Sequence, residues 1–277
     1  MLNTKTYNVT INPNETTKQA VVNIEPTGTF DLTKVNEAGG KVAGVRYRFW
    51  NEDGTYNKVH TTSNAGSIKL EGLKLGKYYY QEESTVAPYL LDSKVYSFEL
   101  KYKDQHTSVI YGSATRVNIE PTGTFDLIKQ NEDGGKVEGA RYRFWSEDGT
   151  YNKVYTTSKT GGIRLEGLKL GKYYYQEEST VAPYLLDSTI YSFEIKYKDQ
   201  NTSIIYESAT RVNNEPRGVF DLIKENSDNT ARINGVPYRI WSEKGNYDKV
   251  HTTTGKGEIK VEGLRLRQIF LSRAAGS

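Results

Sequence analysis

Three polar residue types recur in this sequence at places where the surrounding pattern calls for apolar ones: a lysine, a glutamate and an asparagine. In FDLTK, Phe30, Leu32 and Lys34 alternate onto one face of an extended strand, and Phe125, Leu127 and Lys129 repeat this in FDLIK. In KYYYQE, Tyr78, Tyr80 and Glu82 share a face, as do Tyr173, Tyr175 and Glu177. Asn118 and Asn213 close two RVN strings, where the alternation is weaker: Arg116 and Arg211 fall on the asparagine face while Val117 and Ile119 fall opposite. A buried amine is costly as a cation and loses its proton, and a buried carboxyl beside it stays protonated or shares one proton. A neutral lysine is a nucleophile, a neighbouring acid shuttles protons at a carboxamide, and a dry core prevents the reverse hydrolysis. The product is a Lys–Asn amide, formed with loss of ammonia. The competing reading is an ion pair between Lys34 and Glu82 at a sheet edge, with Asn118 a turn residue before a joint.

The elements that must position these groups come from a repeat. EGLKLGKYYYQEESTVAPYLLDS runs from Glu71 to Ser93 and returns letter for letter from Glu166 to Ser188, an offset of 95. Lys34, Lys129 and Lys224 end three FDL(T/I)K strings at that offset, and Asn23, Asn118 and Asn213 stand at the same spacing. A unit of this size is a complete small domain rather than a solenoid repeat that must stack to bury a core. The chain divides as residues 1–26, the closing hairpin of a repeat; 27–120 and 121–215, two whole repeats; and 216–277, a truncated repeat. Glu25-Pro26, Glu120-Pro121 and Glu215-Pro216 mark short, proline-stiffened joints, so a semi-rigid rod of beads is expected. Within a unit, VRYRFW, KYYYQE and VYSFELKY alternate, and Asp53-Gly54 supplies a turn. Short strands with turn signals every eight to twelve residues predict an all-β, two-sheet sandwich.

Composition agrees. The 277 residues carry 22 Tyr against 8 Phe, 3 Trp and 1 Met, a supply suited to pleated surfaces with one wet face. A net charge of +3, from 37 basic and 34 acidic residues, is too small and too mixed for a nucleic-acid binder. No stretch approaches the length of a membrane span, and no cysteine is present for a disulfide, a thiolate metal site or a nucleophile. His60, His106 and His251 are scattered, and Tyr155 replaces the histidine in the second repeat, so neither a metal nor a cofactor is expected. No Ser–His–acid set recurs, which leaves no turnover enzyme and at most a single-turnover, self-directed reaction.

Both ends depart from the repeat. Tyr7 to Asn23 reads as two strands around the polar turn NPNETTK, an expected final hairpin. After Leu266 the sequence RQIFLSR replaces the expected GKYFYQE, and shifting codons for the latter by one base yields the former. A single-base insertion accounts for the tail, a divergent or cloning-derived segment is the alternative, and the encoding DNA decides between them. Lys224 and Asn23 are expected to remain unlinked.

The ordered anchors G-T-F-D-L-x-K, D-G, T-T, L-E-G-L-x-x-G-K-Y-Y, A-P, Y-x-L-D and V-x-N resemble the B-type repeat of collagen-adhesin surface proteins, also found as SpaA-type domains of Gram-positive pilins. The resemblance spans both whole repeats, the closing hairpin at the N-terminus and the opening half of the third. It implies a prealbumin-like (inverse immunoglobulin-like) sandwich and a spontaneous Lys–Asn isopeptide bond assisted by a glutamate. The family lysine falls on Lys34 and Lys129, the acid on Glu82 and Glu177, and the asparagine on Asn118 and Asn213. The acid departs from the family's Y-x-L-x-E pattern, with Tyr80 and Tyr175 in place of the leucine, and the longer step to Ala87 leaves Glu83 or Glu178 as an alternative acid if a bulge shifts the register. The implied role is a stalk or spacer on an extracellular, cell-wall-attached adhesin. Its partners are neighbouring repeats, and host matrix through other domains. The alternative is that the repeats themselves bind a host ligand or form a pilin subunit.

Overall fold

A computed structural model describes residues 3–265 and 267–274. Its elements are strands. The first set comprises β1 (Thr27–Asn36), β2 (Arg46–Asn51), β3 (Asn57–Thr61), β4 (Ser67–Leu73), β5 (Gly76–Ser84), β6 (Val95–Leu100) and β7 (Val109–Asn118). They form a three-stranded sheet, β4-β1-β7, and a four-stranded sheet, β3-β2-β5-β6. One core lies between them: Phe30 and Leu32 of β1 and Ile68 and Leu70 of β4 pack with Tyr47 and Phe49 of β2 and Tyr78 and Tyr80 of β5. The alternation read from the sequence holds, since Tyr78 and Tyr80 are buried while Tyr79 is on the other face. The rings of Phe30 and Phe98, from opposite sheets, stack at 3.7 Å.

The second set repeats this plan. It comprises β8 (Thr122–Asn131), β9 (Arg141–Ser146), β10 (Asn152–Thr156), β11 (Gly162–Leu168), β12 (Gly171–Ser179), β13 (Tyr191–Ile195) and β14 (Ile204–Asn213). The sheets are β11-β8-β14 and β10-β9-β12-β13, and Phe125 stacks on Phe193 at 3.8 Å.

Two features of this plan place the site. The last strand returns beside the first: β1 pairs β4 antiparallel but β7 parallel, with Lys34 opposite Arg116 and Asn36 opposite Asn118. A lysine near the end of β1 and an asparagine at the end of β7 therefore share one end of one sheet. The second feature is Gly66, at φ 66°, whose carbonyl accepts from the Lys34 N–H at 2.7 Å. A Cβ at Gly66 would meet the Lys34 carbonyl oxygen at 2.6 Å. Gly66→Ala is expected to cost about 1–3 kcal/mol, through left-handed strain and backbone displacement at the lysine. A urea-unfolding midpoint unchanged from the native chain would refute this.

The third set is smaller: β15 (Arg217–Ile223), β16 (Pro237–Ser242), β17 (Asp248–Thr252), β18 (Glu258–Arg265) and β19 (Ile269–Arg273), as sheets β15-β18 and β17-β16-β19. Although the sequence leaves the repeat pattern after Leu266, which itself lies outside the described residues with 1–2 and 275–277, β19 takes the register of β5. Phe270 faces Trp241 as Tyr79 faces Trp50. Enough apolar character survives in Ile-Phe-Leu for an extended segment to pair. The hairpin expected at residues 7–23 is not a ladder: the described residues 3–26 carry no strand, only a turn at Pro13-Asn14. A two-stranded hairpin alone is marginal in water, and Ile11, Val22 and Ile24 are exposed.

Candidate functional site

In the first set, β1, β5 and β7 bring Lys34, Glu82 and Asn118 inside the sandwich, at 0%, 2% and 1% exposure. Lys34 and Asn118 come from adjacent strands of one sheet, and Glu82 reaches in from the other. The Lys34 Nζ lies 2.7 Å from Glu82 Oε2, and the Tyr47 hydroxyl donates to the same oxygen at 2.9 Å. Asn118 Nδ2 donates to Thr85 Oγ1 at 2.6 Å. Glu82 Oε1 and Asn118 Oδ1 are buried without a hydrogen-bond partner.

The second set places Lys129, Glu177 and Asn213 equivalently, all buried, with one difference. Here Asn213 Nδ2 donates to Glu177 Oε1 at 3.0 Å and to Thr180 Oγ1 at 2.5 Å. Lys129 Nζ stands 3.4 Å from Glu177 Oε1, close enough for ion pairing but without hydrogen-bond geometry. The other carboxylate oxygen accepts from the Asp187 N–H at 2.9 Å. Side by side, the two sites show the same carboxylate engaging the lysine in one and the carboxamide in the other, the two positions a proton relay must serve.

The electrostatics follow from burial. Loss of solvent pushes the Lys129 ammonium below the ordinary lysine value; Arg211 adds to that shift, and Glu177 and Asp187 oppose it. Burial raises the Tyr47 hydroxyl, with Glu82 adding to it, and burial likewise raises Tyr142, so both phenols stay protonated.

The acid that faces inward is Glu82. A register shift in the β2–β5 pair sets Glu82 opposite Tyr47 and Ser84 opposite Arg46, and Glu83 lies outside, 2.6 Å from Arg48 Nε. Glu178 does the same with Arg143 at 2.6 Å. Asn118 is interior rather than a turn residue, and Val117 and Ile119 beside it are about half exposed. Arg116, on the asparagine face, lies over Tyr96, its Cζ 3.6 Å from the ring centroid. Thr85, Thr180, Tyr47 and Tyr142 were not singled out from the sequence as site residues. The alternation in RYRFW already aimed both tyrosines inward, whereas the threonines follow the bulge, where strand period gives no direction.

The third set lacks the constellation. Lys224 Nζ donates to the Glu225 carbonyl at 2.9 Å. Among the described residues β15 pairs only with β18. Arg273 occupies the register position of Glu82, opposite Tyr238. Among the described residues no cluster of metal-binding side chains occurs, and no helix is long and apolar enough to cross a membrane.

No curated protein matches the chain. Among solved structures, the Bacillus anthracis TIE protein is similar over 91% of this chain at 22% identity, with a TM-score of 0.62; the chain spans 46% of that structure's length. A streptococcal ancillary pilin aligns over 90% of each chain at 17% identity with a TM-score of 0.31. A C-terminal fragment of the pilus adhesin SpaC from Lactobacillus rhamnosus GG aligns over 69% of this chain and 98% of its own, at 14% identity and a TM-score of 0.40. The SpaA prealbumin-like fold domain model matches residues 28–114 and 123–210. Those spans hold both lysines and both glutamates and stop short of Asn118 and Asn213. Two sandwiches of one plan, matched by one family model over more than half of the sequence, make this chain a member of the SpaA prealbumin-like domain family.

Proposed function

We propose that the two whole repeats are load-bearing spacers of a Gram-positive surface adhesin or pilin, each closed by an intramolecular isopeptide bond, Lys34–Asn118 in one and Lys129–Asn213 in the other. The observation that carries this is the burial, twice over, of a lysine, a glutamate and an asparagine from the first, fifth and last strands. A stability argument gives no reason to retain such a set, since an apolar trio of similar volume would serve as well or better. A proton passes from Lys Nζ to the Glu carboxylate. The neutral amine attacks Asn Cγ, the glutamic acid gives its proton to Nδ2, and the regenerated carboxylate passes on the second proton that the attacking nitrogen sheds as the C–Nδ2 bond breaks. A lysine ammonium and an asparagine thus become one secondary amide plus ammonia that leaves as ammonium, with the glutamate carboxylate regenerated. The Tyr47 hydroxyl and the Thr85 oxygen hold the carboxylate and the carboxamide in place meanwhile. Covalent closure also suits a cysteine-free chain at an oxidising, exposed cell surface. Host contacts would belong to other parts of the full protein.

Intact-mass measurement tests this. Two bonds lower the mass by about 34 Da, one ammonia per acylated amine, and peptide mapping should recover Lys34 joined to Asn118 and Lys129 joined to Asn213. A mass equal to the sequence value rules out the cross-links.

A further inference from the structure

An arginine faces inward beside each buried lysine, and the cross-linking chemistry described so far gives it no part. In the parallel β1–β7 pair Arg116 is the direct partner of Lys34. Its guanidinium is fixed by rings from the facing sheet: it lies 3.6 Å above Tyr96 and 5.4 Å from the Tyr80 centroid, and Nη2 donates to the Tyr80 hydroxyl at 2.5 Å. Arg211 is held likewise, 3.7 Å above Tyr191 and 5.4 Å from Tyr175. Covering these rings is a task that any long side chain would perform. A permanently charged one recurs at this place in both repeats, and beside Lys129 it disfavours the ammonium form.

We propose that Arg211 is a positioning residue for the second cross-link, holding a fixed positive charge beside Lys129 that favours the neutral, nucleophilic amine, and that Arg116 takes the same place in the first repeat. This rests on the cross-linking reading above. The groups around Lys129 set the balance. Glu177 of β12 and Asp187, which follows it, favour the ammonium; Arg211 of β14 and burial oppose it. The phenols of Tyr142, Tyr175 and Tyr191 remain uncharged, all three being raised. Asp187 is itself engaged by the Tyr191 hydroxyl at 2.8 Å.

The test uses the full chain carrying Asn213→Ala, which cannot close the second bond, and follows the Lys129 amine by nitrogen-detected NMR titration. Arg211→Gln is expected to raise the Lys129 titration, leaving less neutral amine at any pH below it. Arg211→Lys, which keeps the charge, should restore the original curve and shows that packing is not the cause. Superimposable curves for arginine and glutamine, or a lysine variant that behaves as glutamine does, overturn the proposal.

With Asn213 intact, the chain is collected unlinked in denaturant and refolded into buffers of rising pH, each bond being read as a loss of about 17 Da. The glutamine variant should link more slowly at neutral pH and recover at alkaline pH. A chain that loses no ammonia at any pH sinks the cross-linking reading. A loss whose pH profile the glutamine variant leaves unmoved sinks the role of the arginine alone.

Discussion

Pulled by its two ends, the native chain should show no unfolding step from either whole repeat, whereas Lys34→Met should release one of about 280–300 Å. That is the contour of the 84 positions from Lys34 to Asn118 at the extended spacing of the backbone. The geometry behind this is the parallel β1–β7 pair. Tension enters at the start of β1 and leaves at the end of β7. A bond from Lys34 to Asn118 carries the load along β1 and across to the far end of β7. The strands between them are never stretched. Without the bond, the pair is loaded in shear and only hydrogen bonds resist. Single-molecule extension decides the matter: a step of that length in the native chain would show that the load path is open. The Lys34→Met chain should also regain one ammonia in mass, so the two readouts check each other.

The second large effect is on stability, and its sign depends on what is removed together. Lys34→Met deletes the proposed cross-link, whose closure of an 84-position loop is worth about 4–5 kcal/mol in the loop-entropy model. It also strips the buried Glu82 carboxyl of the amide N–H that a linked Lys34 presents to it, and leaving that carboxyl unpartnered costs about 1–3 kcal/mol more. Uptake of a proton by the carboxyl softens the second cost. Glu82→Gln removes the relay instead, and should leave the bond unmade and Lys34 without its carboxylate. The double substitution Lys34→Met with Glu82→Leu gives up the bond but buries no charge. The expected order of unfolding midpoints in denaturant is therefore native, then the double variant, then either single one, with the untouched second repeat as internal reference. This is strong non-additivity of the kind seen for groups in contact. A double variant less stable than Lys34→Met would mean that packing, not the unpartnered carboxyl, governs the site. A single variant as stable as the native chain would mean that no bond was there to lose.

Much of this molecule was legible in its sequence because strand periodicity is a direct geometric rule. Alternation in FDLTK and KYYYQE aimed Lys34 and Glu82 inward, and the offset of 95 showed that the arrangement is made twice. Where the period breaks, the sequence lost its hold. The bulge after Glu82 determines that Glu82 points into the core and Glu83 toward Arg48, and a bulge is a property of two paired strands rather than one string. Arg116 weakened the alternation in the last strand. It could be placed only once Tyr96 and Tyr80 of the other sheet were seen to receive its guanidinium. The third set teaches the converse. Its tail has lost the repeat's letters, yet Ile269–Arg273 still pairs in the old register, because pairing asks for an extended, partly apolar segment and not for particular residues. What pairing alone does not supply is the acid, and Arg273 stands in its place. The sequence by itself determined the residue types, their faces and their repetition, since these follow from the two-residue period of a strand. Only the tertiary structure decided which of them meet. That meeting depends on the last strand returning parallel to the first, with the second sheet closing over both.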